Sequence, residues 1–180
     1  MSIAIKRLFF PVILTLVFAA EGSSISPKQY YDPIRHLFLM AKNTNWDFFS
    51  ADDQTSKTIS RDKDLQFVAR SPYVVEDGLQ PTLTFRLDHG SWSSARLYGE
   101  RWLKDFPKYG YELQMSRDSK LGGLSGFEIE LNASQSKHVI RQFIVKSNQE
   151  FWVFTCTSDQ KHFQASWSAC ESILKSAKIN

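Results

Sequence analysis

FWVFTCT, residues 151–157, is a run of aromatic, β-branched and small residues near the end of the chain. Its composition is typical of a strand in a sheet that is covered on both faces. In the segment that follows, residues 162–177, apolar side chains recur at spacings of 4, 3, 4 and 3, which is one stripe of a helix. The stripe consists of Phe163, Trp167, Cys170, Leu174 and Ala177. The sequence therefore predicts a final strand and a final helix that packs on the sheet.

Both cysteines of the chain lie in this segment, Cys156 in the strand and Cys170 on the apolar stripe of the helix. Because both side chains are expected to face the core, we predict a disulfide between them, provided that their Cα atoms come within about 7 Å. Two buried free thiols are the alternative. A catalytic redox pair is disfavoured, since such pairs have close CxxC spacing at a helix N-terminus.

The N-terminus has the pattern of a secretory signal peptide. Lys6 and Arg7 precede an apolar run over residues 8–20, and small residues follow. The run is shorter than the about 20 residues that span a bilayer. We predict a signal peptide over residues 1–19, cleaved after Ala19 or Gly22; an uncleaved membrane anchor is the alternative. The expected location is the periplasm or the medium, where a disulfide is stable.

The predicted mature chain is almost neutral. The signal peptide holds two of the 22 basic residues and none of the 19 acidic residues, which leaves 20 basic against 19 acidic residues. A net charge this small gives no long-range attraction to nucleic acid or to anionic lipid. We therefore expect neither a nucleic-acid partner nor membrane contact after cleavage. The about 160 remaining residues are enough for one domain with its own core, expected to be a monomer.

The chain in order predicts a short leader and one α+β domain. Residues 20–34 are expected to be a flexible leader, and residues 35–180 a single domain. Strands are predicted at 36–41, at 57–61 and 65–70 as a hairpin, at 82–87, and at 111–116, 124–132, 139–146 and 151–157, with a first helix from Ser93 or Ser94 to Phe106. The short turns favour an antiparallel sheet of about six to seven strands, packed by two main helices.

Residues 82–179 resemble the PsbP-like superfamily. The resemblance is carried by the end of the first helix at 102–106, the turn GGLSGFE at 122–128, RQFIV at 141–145, and WVFTCT at 152–157 with the helix after it. The superfamily includes the PsbP extrinsic subunit of photosystem II, exported bacterial proteins of the DcrB type and a Ran-binding nuclear-import factor. The resemblance implies an α/β/α sandwich and a binding or assembly subunit. It implies no catalytic residue or cofactor.

Candidate catalytic groups are few. GGLSG resembles a nucleophile elbow, but Phe127 stands where the last glycine is required, so a plain turn is expected. Asp88 and His89 are adjacent in a predicted loop, either as surface residues or as an acid–base site. Glu128 and Glu130 share one face of a predicted strand and are expected to point to solvent. The four histidines are scattered singly, so we predict no catalytic, cofactor or metal site.

Five aromatic residues are candidates for a partner surface, with core packing as the alternative. They are Trp46, Phe48, Phe49, Tyr73 and Trp92. The resemblance implies an exported, non-enzymatic binding or accessory protein of the cell envelope, whose working surface would be the open sheet face and the predicted loops at 71–80 and 88–93. Its partner would be an unidentified protein or a small ligand. A secreted effector and an enzyme with an unrecognised site are the alternatives.

Overall fold

The structure is a computed structural model that describes residues 23–51, 64–75 and 78–179. The strands are β1 Ser24–Ser26, β2 Gln29–Asp32, β3 Leu37–Met40, β4 Asp47–Ser50, β5 Leu65–Arg70, β6 Thr82–His89, β7 Tyr111–Leu121, β8 Leu124–Ala133, β9 His138–Ser147, β10 Glu150–Asp159 and β11 Lys178–Ile179. The helices are α1 Ala95–Leu103, a 3-10 turn at Phe106–Tyr109, and α2 Phe163–Lys175. The predicted signal peptide, its cleavage sites and the predicted strand at 57–61 lie outside the described residues.

Two antiparallel sheets are built from the described residues. The large sheet has the order β4-β5-β6-β10-β9-β8-β7, and the small sheet has the order β1-β2-β3-β11. From β7 to β10 the chain forms the predicted meander of neighbouring strands. β10 also pairs with β6, so it is an interior strand of the large sheet. Its sequence FWVF is buried at every position, because both faces of this strand are covered.

The two faces of the large sheet bury separate cores. On the first face, side chains such as Trp152 and Phe154 pack with α2 and with the small sheet. On the second face, Phe151 and Val153 pack with α1. Aromatic side chains pack in pairs in the first core, and the rings of Phe85 and Phe154 stack at a centroid distance of 4.7 Å. The expected α+β fold, an antiparallel sheet with two main helices, is confirmed.

The N-terminal part of the domain differs from the prediction. Residues 24–32, assigned from the sequence to a flexible leader, form β1 and β2. Tyr30 explains the difference, since it is fully buried and its ring centre lies 4.6 Å from that of Phe67. The backbone of this segment is also used: Phe48 N donates to Pro27 O at 2.8 Å. Burial of Tyr30 and the hydrogen bond to β4 therefore order this segment, although its small, polar residues are typical of a flexible leader.

β5 lies between two other strands of the large sheet. β5 pairs with β4 on one side and with β6 on the other. β4 was not predicted as a strand because the run DFFS is only four residues long and lies among turn residues. No helix in the described part of the chain is long and apolar enough to cross a membrane.

Candidate functional site

One end of the large sheet carries a concave surface, which we call the sheet-end cleft. Three connections meet there: the loop 90–94 between β6 and α1, the turn 122–123 between β7 and β8, and the turn 148–149 between β9 and β10. The cleft consists of two cavities of about 570 Å³ and about 440 Å³, and Lys146 lines both. Each volume is within the usual range for a small-molecule site.

The two cavities have different linings. Hydroxyl groups and charged side chains surround the larger cavity: Ser93, Ser94, Arg96, Asp118, Ser119, Lys120, Ser125 and Lys146. The smaller cavity has an aromatic wall and several hydrogen-bonding side chains: His89, Ser91, Trp92, Lys146, Asn148 and Gln149. The cleft therefore has Lys146 where the two cavities meet, charged and hydroxyl groups on one side, and mainly neutral polar and aromatic groups on the other.

α1 holds one wall of the cleft in place. Ser94, one of the two predicted capping residues, caps α1: its side chain accepts a hydrogen bond from Leu97 N at 3.2 Å. One turn later, Tyr98 stacks on Phe151 of β10 at a centroid distance of 4.3 Å. Its hydroxyl donates to the Asp88 carboxylate. Burial, together with this bond to Asp88, raises the pKa of Tyr98 far above its usual range. The neutral phenol thus links α1 to β6 through its hydrogen bond to Asp88.

A partly buried ion network supports the turn at 148–149. Asn148 has a φ of 55°, a left-handed conformation that asparagine tolerates. The next residue but one, Glu150, accepts two hydrogen bonds of 2.8 Å from the guanidinium of Arg35. Arg35 also donates to Asp32, which is fully buried. The bond to Arg35 lowers the pKa of Glu150. A loop of the N-terminal region thereby anchors the turn that carries part of the cleft.

The cations of the cleft are not all neutralised. Arg96 donates to both oxygens of Asp118, at 3.1 Å and 2.5 Å. Neither Lys120 nor Lys146 forms a salt bridge within the described part of the chain. The ammonium of Lys146 instead lies 3.4 Å from the carbonyl oxygen of Ser93, in the loop before α1. The cleft thus presents two ammonium groups without a carboxylate partner among the described residues.

The five aromatic residues proposed as a partner surface do not form one surface. Trp46 and Phe48 are each only 3% exposed and belong to the first core, so assigning them to a partner surface is wrong. Phe49 is half-buried, with the Arg70 guanidinium 5.3 Å from its ring centre. Tyr73 is 68% exposed, but it follows β5 at the end of the sheet opposite the cleft. Trp92 alone of the five lines the cleft, where Arg101 stacks over its ring.

Asp88 and His89 are adjacent in sequence but separated in the structure. The described bonds of the Asp88 carboxylate go to Tyr98 and to Arg86, the latter at 2.6 Å. His89 points elsewhere and lines the smaller cavity. The two side chains therefore do not form the acid–base pair that their adjacency allowed.

Glu128 and Glu130 do not point freely to solvent, which corrects the expectation from their alternation. The Glu128 side chain is 3% exposed and lies between Arg117, at 2.9 Å, and Arg141, at 3.7 Å. Arg141 also donates to Glu130 and stacks over Trp167 of α2, 4.4 Å from the ring centre. This face of β8 is covered in part by α2, so its two carboxylates are paired with arginines, Glu128 buried and Glu130 partly buried.

The predicted disulfide is present. Cys156 and Cys170 are bonded, with their Cα atoms 6.2 Å apart, and both side chains lie in the first core. The bond joins β10 to α2 on the face opposite α1, so it belongs to the scaffold. The described residues contain no group of three or more His, Cys, Asp or Glu that could hold a metal ion.

The residues that give the cleft its charge were missed by sequence reasoning. These residues lie on three different elements: Arg96 on α1, Lys120 on β7 and Lys146 on β9. A single basic residue on a strand carries no sequence signal of its own. Only the antiparallel meander brings the ends of these elements to one place. The loop 88–93, which was predicted as part of a working surface, is the one element of the cleft that the sequence indicated.

Comparison with known proteins gives similarity of structure without similarity of sequence. No family model and no curated protein matches the chain. Among solved structures, cyanobacterial PsbP (CyanoP) from Synechocystis sp. PCC 6803 aligns with a TM-score of 0.57 at 13% identity, over 91% of this chain and 99% of that one. LpqN, involved in cell envelope biogenesis of Mycobacterium tuberculosis, aligns with a TM-score of 0.59 at 12% identity, over 90% and 87% of the two chains.

A third match is PA94 of Pseudomonas aeruginosa, a protein of unknown function, with a TM-score of 0.50 at 15% identity over 64% of this chain and 85% of that one. At these identities the matches establish the fold and nothing further. The chain has a PsbP-like fold, as the sequence resemblance implied, and the fold extends into the N-terminal region that the resemblance did not cover.

Proposed function

We propose that this chain is an exported, non-enzymatic binding or accessory protein of the cell envelope, and that the sheet-end cleft is its binding site. One observation carries the proposal: two adjoining cavities at the end of the large sheet, lined by Trp92, by several hydroxyl and amide groups, and by Lys120 and Lys146, which form no salt bridge with any described residue. Concave sites with an apolar wall and a few converging polar groups are the usual form of a ligand site. Loops on a rigid scaffold are the usual place for binding residues.

Export is supported by the disulfide. Bonds such as Cys156–Cys170 persist in oxidising compartments and are rare in the cytosol. The predicted signal peptide over residues 1–19 points the same way. The structural neighbour LpqN is involved in cell envelope biogenesis, which supports the cell envelope as the location of this chain.

A binding role, rather than catalysis, is supported by the state of the carboxylates near the cleft. Asp118 is paired with Arg96, Asp88 with Arg86 and Tyr98, and Glu150 with Arg35. General acid–base catalysis needs a group that exchanges its proton near the working pH. The hydrogen bond from Arg35 lowers the pKa of Glu150, so this carboxylate stays ionised at neutral pH.

Cell fractionation tests the compartment. The source organism would be separated into cytoplasm, envelope fraction and medium, and the chain detected by antibody and by intact mass. We expect a protein that begins at residue 20 or 23, is retained in the envelope fraction and has no free thiol. Full-length protein in the cytoplasm with two free thiols would overturn the proposal, and release of most of the protein into the medium would favour a secreted effector.

A further inference from the structure

The sheet-end cleft has a charge pattern that selects its ligand, an inference that rests on the proposed binding function. The side chains of Lys120 and Lys146 line the larger cavity from two different strands, β7 and β9. Neither ammonium has a carboxylate within salt-bridge distance in the described part of the chain. The one acid in the lining, Asp118, already accepts two hydrogen bonds from Arg96. The cavity therefore has positive charge left over for a ligand.

The groups beside the lysines are suited to hold an oxyanion. Ser93 and Ser125 lie in the lining beside the lysines, and their hydroxyl groups can donate to oxygen. Lys146 lies where the two cavities meet, so a group bound there is within reach of both linings. On the far side, the smaller cavity offers Asn148 and Gln149, whose amides bind neutral polar groups, beside the wall of Trp92.

We infer that the sheet-end cleft binds a small ligand through a phosphate or carboxylate group held between Lys120 and Lys146. The rest of the ligand lies in the smaller cavity against Trp92, with polar groups directed to Asn148 and Gln149. A molecule that fits this description is compact, because the cavities measure about 570 Å³ and about 440 Å³. The anionic group belongs either to a free molecule or to a lipid headgroup.

Titration of the purified mature chain tests this inference independently of its place in the cell. Heteronuclear NMR would follow backbone amides while inorganic phosphate, glucuronate or neutral glucose is added at constant ionic strength. We expect saturable shifts at residues 93–96, 118–126 and 146–149 with phosphate or glucuronate, and none with glucose. Co-sedimentation with phosphatidylglycerol vesicles, against phosphatidylcholine vesicles, then distinguishes a lipid source from a free one.

Three variants make the result decisive. Lys146→Gln and Lys120→Gln each remove one ammonium and are expected to weaken anion binding roughly three- to tenfold. Lys137→Gln is the matched control, because Lys137 is exposed in the hairpin at the opposite end of the sheet, and it should bind like the wild type. Equal affinity of all four proteins, or shifts that map away from the cleft, would overturn the anion site. If neither the free anions nor the vesicles bind, the inference is also overturned, while the compartment and the binding role keep their own tests.

Discussion

Cys156 and Cys170 join the interior strand of the large sheet to the helix that covers its first face, with Cα atoms 6.2 Å apart. The bond encloses a short loop, since the two residues are separated by 14 positions. Both ends lie in the buried core formed by β10, α2 and the small sheet. The bond therefore ties α2 covalently to β10.

Replacing both cysteines by alanine is expected to lower the free energy of unfolding by about 2–4 kcal/mol, because the unfolded chain regains the entropy of a loop of about 15 residues. Urea unfolding followed by circular dichroism measures the difference. Wild-type protein unfolded in the presence of a reductant is the control and should approach the variant. An unchanged free energy of unfolding would show that the bond contributes nothing to the stability of the fold.

Arg141 is expected to contribute more to stability than Arg117, although both contact Glu128. Arg141 is 15% exposed and also bonds Glu130 and stacks on Trp167, whereas Arg117 is 59% exposed. Arg141→Ala should cost about 3 kcal/mol, because it removes a largely buried guanidinium that bonds Glu130, contacts Glu128 and stacks on Trp167. Arg117→Ala should cost less, about 1 kcal/mol, because the Arg117 side chain is mostly exposed and Arg141 still contacts Glu128.

The measurement for this pair is again urea unfolding, with Arg141→Lys as an additional variant that keeps the charge. Lysine lacks the planar fork that bonds a carboxylate and stacks on a ring, so we expect only partial recovery. Equal losses in Arg141→Ala and Arg117→Ala would contradict the asymmetry that the structure gives to these two residues.

The turn between β7 and β8 contains two glycines that should respond differently to alanine. Both have a positive φ, 56° at Gly122 and 84° at Gly123. A Cβ at Gly122 would collide with the carbonyl oxygen of Leu174 in α2, whereas a Cβ at Gly123 meets open space. We expect Gly123→Ala to cost about 1–2 kcal/mol from backbone strain alone.

Gly122→Ala adds the collision with α2 and should cost clearly more, over about 2 kcal/mol. Thermal unfolding of the two variants side by side gives the comparison. If the two alanine variants melt at the same temperature, the turn does not pack on α2 as closely as the structure indicates.

Stability should fall in acid partly through Glu150. Its folded-state pKa is lowered from 4.5, chiefly by the hydrogen bond from Arg35, so the unfolded chain takes up a proton at a higher pH than the folded chain. The contribution is fully present above about pH 4.5 and is lost as the pH falls through the lower folded-state pKa. Glu150→Gln should destabilise by about 1 kcal/mol at neutral pH and flatten the loss of stability below pH 4.5.

The check is urea unfolding at a series of pH values from 7 down to 3, within the range where the protein stays folded. Glu112→Gln is the control, because Glu112 is exposed on β7 and should leave the slope unchanged. An acid slope in Glu150→Gln as steep as in the wild type would contradict the role of the Arg35 contact.

The scaffold could be predicted from the sequence because its strands and helices have strong local patterns. The run at 151–157 predicts a buried strand, and the alternating runs before it predict the other strands of the meander. The stripe that includes Cys170 predicts α2 and its buried face. β2 and β4 could not be predicted, since each is four residues long and owes its place to a buried anchor, Tyr30 or Phe48. Such anchoring depends on contacts distant in sequence, which local patterns do not record.

The candidate site was even harder to predict from the sequence, because its residues are distant from one another along the chain. Trp92 and the loop 88–93 could be selected as exposed candidates, but nothing distinguished Trp92 from Trp46 or Phe48, which are core residues. Lys120 and Lys146 are 26 positions apart in sequence and share a cavity only through strand register. A cluster of charged side chains from separate strands therefore becomes visible only in the structure.

Site-specific photo-cross-linking in living cells tests the central claim that the sheet-end cleft is the binding site. A photoreactive residue would be placed at Ser91, which is exposed in the lining of the smaller cavity, or at Tyr73, which is 68% exposed at the opposite end of the sheet. Cross-linked products would be identified by mass spectrometry. We predict a specific adduct from position 91 whose yield falls on Lys146→Gln, and none from position 73. Adducts of equal yield from both positions, or from position 73 alone, would contradict the account.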